Sequence, residues 1–441
     1  MKKNNYYPKF PVINLPQLKN VKIPLVRQVK LYHPQKTAIK NITKSIESAL
    51  IQSKRINKLP KGSAIAIAAG SRGIAQIGEV ISVIVDWLKS RGHDCFIVPA
   101  MGSHGGASTE VQAQILRDLG IEEDKINAPI KASMEVVDYG KTKYGISCRF
   151  DKKAAESDAV IVVNRVKSHT SFPRPIESGL TKMVAVGLGK DQGARNVHKL
   201  GPKGLAEVLP ELARIAIRKS PIVYGIALVE NANEELCIIE GVEPDKFLST
   251  DKRLLKLAKS NLAKLPFSQL DVLIVEEIGK DISGMGMDYA VTGRTDIRGI
   301  PNPSTPFIHK IGVFSLTAAS HGNAQGIGVA DYIPLSLTRQ INLYDMYMNS
   351  ITASVIEKVR IPIVLPDELS VIKACVATCW EAEEEKVRLC IIRSTHRLDD
   401  ILISTSLVKD IEGKKNAKVI SSTKTLQFSH EGKLLTRCPK N

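Results

Sequence analysis

The sequence predicts an α/β protein of two domains. An N-terminal domain (residues 1–268) is built on a parallel sheet. A smaller C-terminal α/β domain (269–441) closes over it, with the active site expected in the cleft between them. Three observations predict this. The 441 residues exceed what one typical core accommodates. Short apolar runs recur in the order strand, glycine-rich turn, amphipathic helix, which is the pattern of right-handed βαβ units. A composition of 43% hydrophobic and 24% charged residues is that of an ordinary globular chain and excludes extended disorder.

Residues 1–35 carry several prolines and alternating apolar positions (Val21, Ile23, Leu25, Val29), an extended arm with a short strand or two. Residues 36–56 place Ile39, Ile42, Ile46 and Leu50 at helical spacing. SAIAIA (Ser63–Ala68) is a strand running into Ala69-Gly70-Ser71-Arg72-Gly73, and Ile77–Ser90 is the helix that follows. Asp94–Ala100 is the next strand. It ends in Met101-Gly102-Ser103-His104-Gly105-Gly106 before a helix over Thr109–Leu119. The apolar run Ala159–Val163 reads as a strand buried on both faces and leads into the long stretch Asn164–Gly201. A helix (Gly204–Lys219), a strand (Ile222–Val229) and a cationic helix (Asp251–Leu265) complete the first domain. The second opens on the strand Asp271–Val275, which runs into the glycine-rich, charged segment Glu276–Asp288. Further strands are expected at Lys310–Leu316 and Arg360–Val364, and helices near Leu343–Val359 and Trp380–Val387.

The net charge of +17 permits a nucleic-acid or acidic-membrane surface, but the excess is spread along the chain and aromatics are only 5%, too few for base-stacking platforms. A positive field that draws small anions fits better, so the expected partner is a small anionic molecule rather than nucleic acid or membrane. Seven scattered cysteines suit reduced thiols, and Cys375 and Cys379 read as core residues. No apolar segment follows the positive N-terminus, and no run reaches membrane-span length. The expectation is a soluble cytoplasmic protein, with oligomeric state left open.

Arg72, His104 and His169 each lie a few residues beyond an apolar strand. If those strands are neighbours, all three side chains reach one carboxyl edge, where open α/β sheets bind ligands. The planar fork of Arg72 suits a carboxylate. His104 reads equally as a turn histidine bonded to a local carbonyl or as a general acid/base reached through its flanking glycines. Lys182 would ordinarily be solvated, although Leu180 and Met183 beside it point to partial burial. His198 is either helix-terminal or a metal ligand, imidazole suiting nickel, zinc, copper or iron. His321, in SHGNAQG, is a glycine-flanked turn. The run Glu383–Lys386 is a solvated helix face.

His169, then Ser178-Gly179-Leu180-Thr181-Lys182, then Asn196-Val197-His198 resembles the core motif of the nickel-pincer-nucleotide-dependent lactate racemase family. The resemblance covers most of the chain and is strongest over residues 64–201. It implies that His104 and His169 are the two catalytic bases, and that Lys182 carries the covalently joined cofactor. That cofactor would be the nickel pincer of pyridinium-3,5-bisthiocarboxylic acid mononucleotide, with Ser71 against it and His198 ligating the nickel. Arg72 would hold the substrate carboxylate. The activity implied is racemisation or epimerisation of a 2-hydroxy acid by hydride transfer.

Two departures from the family pattern stand out. Ala69 replaces an aspartate three residues before Arg72. In Ile341–Met348, Asp345 and Met348 stand where the family carries a glutamine and a lysine, so Asp345 falls at a substrate-binding position. A thioether in place of a cation argues for a substrate other than lactate, or one held differently, and Lys280 or Arg294 could restore the charge. The alternatives are a zinc-dependent hydrolase or lyase, which needs a third protein ligand, and a non-catalytic protein that binds an anion or nucleotide.

Overall fold

The computed structural model describes residues 6–33, 36–71, 73–169, 174, 176–198, 200–201 and 204–439. The chain forms two compact units. One lies between residues 34 and 262, and the other combines residues up to 33 with residue 263 onward. The extended arm thus leaves the N-terminal domain to which its sequence position assigned it. Its strand β1 (Val26–Leu31) pairs antiparallel with two strands from the end of the chain. Buried Val29 and Leu31 join the core of that later unit, which accounts for the placement.

In the unit between 34 and 262, β2 (Ala64–Ala69), β3 (Asp94–Pro99), β6 (Ala159–Arg165), β7 (Ile222–Glu230) and β8 (Leu236–Val242) form a sheet in the order β3-β2-β6-β7-β8. β4 (Val136–Lys141) and β5 (Ser147–Asp151) pair separately. All pairings in the large sheet are parallel except β7 with β8. β2 and β6 read as unbroken apolar runs because both their faces are covered. Ile65, Ile67, Ala69, Ile161 and Val163 share a core with the helices Ile42–Ile51 and Ile77–Lys89. The chain steps from β2 to β3 on one side, then returns to β6 on the other. The sheet therefore has its topological switch point between the carboxyl ends of β2 and β6.

The other unit is the one expected to be smaller, yet it carries the wider sheet. Besides β1 it contains β9 (Gln269–Ile278), β10 (Phe307–Leu316), β11 (Tyr332–Pro334), β12 (Ile363–Leu365), β13 (Leu389–Ser394), β14 (Arg397–Ser404) and β15 (Ala417–Val419). Their order is β12-β11-β10-β9-β13-β14-β1-β15. β9 lies between parallel neighbours β10 and β13, so a second switch point falls at its end, just before Lys280. The helix expected at Trp380–Val387 is a single 3-10 turn, Glu384–Lys386. Trp380 adopts a left-handed backbone (φ +65°), which interrupts a helix. The helix of this region lies earlier, at Glu368–Ala377, where Asp367 accepts the Ser370 N–H as its cap. The helix expected to reach Val359 stops at Ala353, because Ser354 is also left-handed (φ +55°). All seven cysteines are free and buried. No helix among the described residues is long and apolar enough to cross a membrane.

Candidate active site at the strand ends

β3, β2 and β6 are adjacent and parallel, and their carboxyl ends deliver His104, Ser71 and His169 to one edge of the sheet. Gly102, Gly105 and Gly106 all have φ between +61° and +65°, a region glycine enters without a Cβ penalty, and this folds the turn that carries His104. The buried Gln112 amide braces the turn by donating to the carbonyls of Gly102 (3.0 Å) and His104 (2.9 Å). The His104 side chain is exposed, and its Nδ1 shares a hydrogen bond with Ser71 Oγ. A hydroxyl there can donate to a bare Nδ1 or accept from a protonated one, so it supports the imidazole in either state. Arg72 lies outside the described residues.

Beyond β6 the backbone of His169 is anchored by Glu177, whose Oε2 accepts the His169 N–H at 2.6 Å. Asn164, near the end of β6, donates to the Gly179 carbonyl at 2.8 Å. Lys182 closes the one-turn helix Leu180–Lys182. Its ammonium is half-buried and lies 3.5 Å from the Glu177 carbonyl oxygen. The start of that helix rests on buried Asp251, which accepts the N–H groups of Leu180 (3.1 Å) and Thr181 (2.7 Å). Gly179 (φ +97°) is demanded there, since a Cβ would lie 2.2 Å from Asp251 Oδ1. Burial pushes the Asp251 carboxyl up to about 6, against the opposing pull of the hydrogen bonds from Thr181 and Leu180.

A π-helical turn, Met183–Gly187, follows and packs closely against the end of β3. A Cβ on Gly187 would come within 2.5 Å of the Ala100 carbonyl. The next helix, Lys190–His198, ends on His198, whose side chain lies outside the described residues. Its first residue anchors it. Lys190 Nζ is buried, 2.6 Å from the Pro99 carbonyl and 2.7 Å from Asp151. Burial pushes the Asp151 carboxyl up and the Lys190 ammonium down, each partly held by the other's charge. Among the described residues no group of three His, Cys, Asp or Glu is placed to hold a metal ion.

In the other unit, Lys280 follows β9. Its N–H donates to Ser320 Oγ (2.9 Å) and its ammonium to Asn349 Oδ1. Asp345 is exposed and accepts from the Asn342 side chain (2.7 Å), while Asn342 caps the helix Leu343–Ala353. Met348 is exposed on that helix. Arg294 is engaged elsewhere. It donates to the carbonyls of Ile308, His309 and Val329 and pairs with Asp331 at 2.9 Å, a structural clamp on β10. His321 sits in an exposed left-handed turn (φ +47°).

Residues 13–202, which include every candidate side chain of the first unit, match the family model described as the lactate racemase N-terminal domain. Over this region the chain is similar to that domain. Among solved structures it is similar to the lactate racemase apoprotein from Thermoanaerobacterium thermosaccharolyticum. The identity is 14%, with 83% of this chain and 93% of that one covered and a TM-score of 0.49. No curated protein matches the chain.

Reasoning from the sequence alone missed three supports of this candidate site: Glu177, Asp251 and the Lys190–Asp151 pair. A signal was available for Glu177 and Lys190, charged residues close to glycines, but not for Asp151 and Asp251, each followed by a lysine.

Proposed function

We propose that the protein is a racemase or epimerase of a small 2-hydroxy acid, working in the cytosol with a nickel-pincer nucleotide tethered at Lys182. The observation that carries this reading is the meeting of Ser71, His104 and His169 at neighbouring parallel strand ends, with the Lys182 segment braced beside them. The residues present fit the cofactor. Lys182 offers a half-buried primary amine at the end of a one-turn helix, and His198 closes the next helix of nine residues. Ser71 would lie against the nucleotide and His198 would ligate the nickel. When bound, the group supplies a hydride acceptor for the C2 hydrogen.

The chain's own residues do the rest. One imidazole, His104 or His169, takes the C2 hydroxyl proton and leaves a planar 2-keto acid. The other returns a proton when the opposite face is reduced, because inversion needs proton traffic on both sides of the carbon. Engagement of Nδ1 by Ser71 assigns the His104 transfer to Nε2. Arg72 is proposed to pair with the substrate carboxylate, and Lys280 and Asp345 to contribute substrate contacts.

The test is an intact-mass spectrum and peptide map of protein produced alongside the cofactor-synthesis enzymes, with metal analysis and chiral separation of 2-hydroxy acids after incubation. A nucleotide-sized adduct on the Lys182 peptide, with nickel and interconversion of enantiomers, is expected. An unmodified Lys182, from cells that load a known racemase, would overturn the proposal.

A further inference from the structure

Glu177 stands between His169 and Lys182 and is buried, only 2% exposed. Its carboxylate accepts the His169 N–H through Oε2 and the Arg174 N–H through Oε1, both at 2.6 Å, and Oε1 also pairs with Lys259. Its own main-chain carbonyl lies 3.5 Å from Lys182 Nζ. A single residue therefore touches the backbone of one proposed base and the amine proposed to carry the cofactor. Taking a carboxylate out of water is costly unless it is paired, and Lys259 provides the pairing from the helix Phe247–Ser260. Asp251, eight residues earlier on that helix, holds Leu180 and Thr181. One helix thus braces the chain at Glu177 and just after it, from positions just over two turns apart.

We propose that Glu177, held by Lys259, is a positioning residue that fixes the main chain of His169 relative to Lys182; this rests on the function proposed above. An ionised acceptor binds backbone N–H groups more strongly than a neutral one. A glutamine keeps a single acceptor oxygen, so its NH2 must face either an N–H or an ammonium, a donor against a donor.

The experiment compares the wild type with Glu177→Gln and Lys259→Met in the full chain. Amide hydrogen exchange is followed in the protein without cofactor, and kcat and KM in the loaded enzyme. In Glu177→Gln, exchange at the His169 and Arg174 amides is expected to quicken about tenfold or more, with the helix Ile77–Lys89 unchanged. In the loaded enzyme kcat should fall about a hundredfold with KM nearly constant, the signature of a displaced reacting group rather than lost binding. If Glu177→Gln does not fold, Lys259→Met decides. It leaves both N–H acceptors in place and alters a side chain that is 34% exposed, and exchange at the two amides should rise about threefold, with a smaller loss in kcat. Unchanged exchange in a folded Glu177→Gln, or in Lys259→Met if that is the only folded variant, overturns the proposal. A wild type that racemises nothing would sink the function reading alone, and the exchange data would still decide what Glu177 does.

Discussion

Replacing Asp251 by Asn should remove a loss of stability that the wild type suffers as pH rises, because burial holds that carboxylate in an unfavourable state. Asp251 is 1% exposed, and its carboxyl titrates at about 6 against 3.8 for an ordinary aspartate. The folded protein therefore binds this proton more tightly than the unfolded chain does. The penalty for burying the charge is absent below about pH 4, grows as pH rises to about 6, and is constant above that. A gap of about 2 pH units at roughly 1.36 kcal/mol each gives ~3 kcal/mol. Asparagine matches the protonated acid in shape but has one acceptor oxygen, so its NH2 faces either the Leu180 or the Thr181 N–H, a cost of about 1–3 kcal/mol that does not vary with pH. The variant should accordingly be the less stable protein at pH 4, and should gain up to ~3 kcal/mol on the wild type between pH 4 and pH 7. Urea unfolding at several pH values measures this. In a Trp380→Phe background, fluorescence reports Trp87 alone, which is buried in the helix Ile77–Lys89 of the same unit. A difference that does not change with pH, or one that moves against the variant as pH rises, would refute the reasoning.

Lys190→Met should cost about 3–5 kcal/mol in urea unfolding by stranding the buried Asp151 carboxylate, and Lys190→Met with Asp151→Asn should recover most of it. His104→Ala and His169→Ala should each lower kcat of the loaded enzyme by about 10²–10⁴, the range for a lost general acid/base. Ser71→Ala, which removes the partner of His104 Nδ1, should cost about tenfold in kcat with KM unchanged. Lys280→Ala should raise KM about tenfold if its ammonium meets the substrate carboxylate, and an unchanged KM removes Lys280 from the site.

The fold was largely legible because parallel sheets announce themselves. Ala64–Ala69 and Ala159–Arg165 are covered on both faces, and so appear as apolar runs, the first ending at Gly70 and the second in Asn164-Arg165. A shared edge for Arg72, His104 and His169 was expected on the condition that their strands are neighbours, and the order β3-β2-β6 meets that condition. Pairings over long sequence distances were not legible. β1 pairs with strands nearly four hundred residues later, and an arm of alternating apolar residues does not say which sheet it will join. The carboxylates beneath the site escaped for a related reason. Asp251 lies in a helix whose sequence shows mainly lysines and leucines. Its meaning comes from Gly179, seventy-two residues away, where the missing Cβ admits the carboxylate onto the Leu180 and Thr181 amides. Glu177 stood inside the quoted motif but between two residues with more obvious chemistry, and only its contacts with His169, Arg174 and Lys259 give it a role. Sequence periodicity reports which face of an element is buried, and so it finds strands and their ends. It is silent on a buried charge, whose justification is always a partner brought in from elsewhere in the chain.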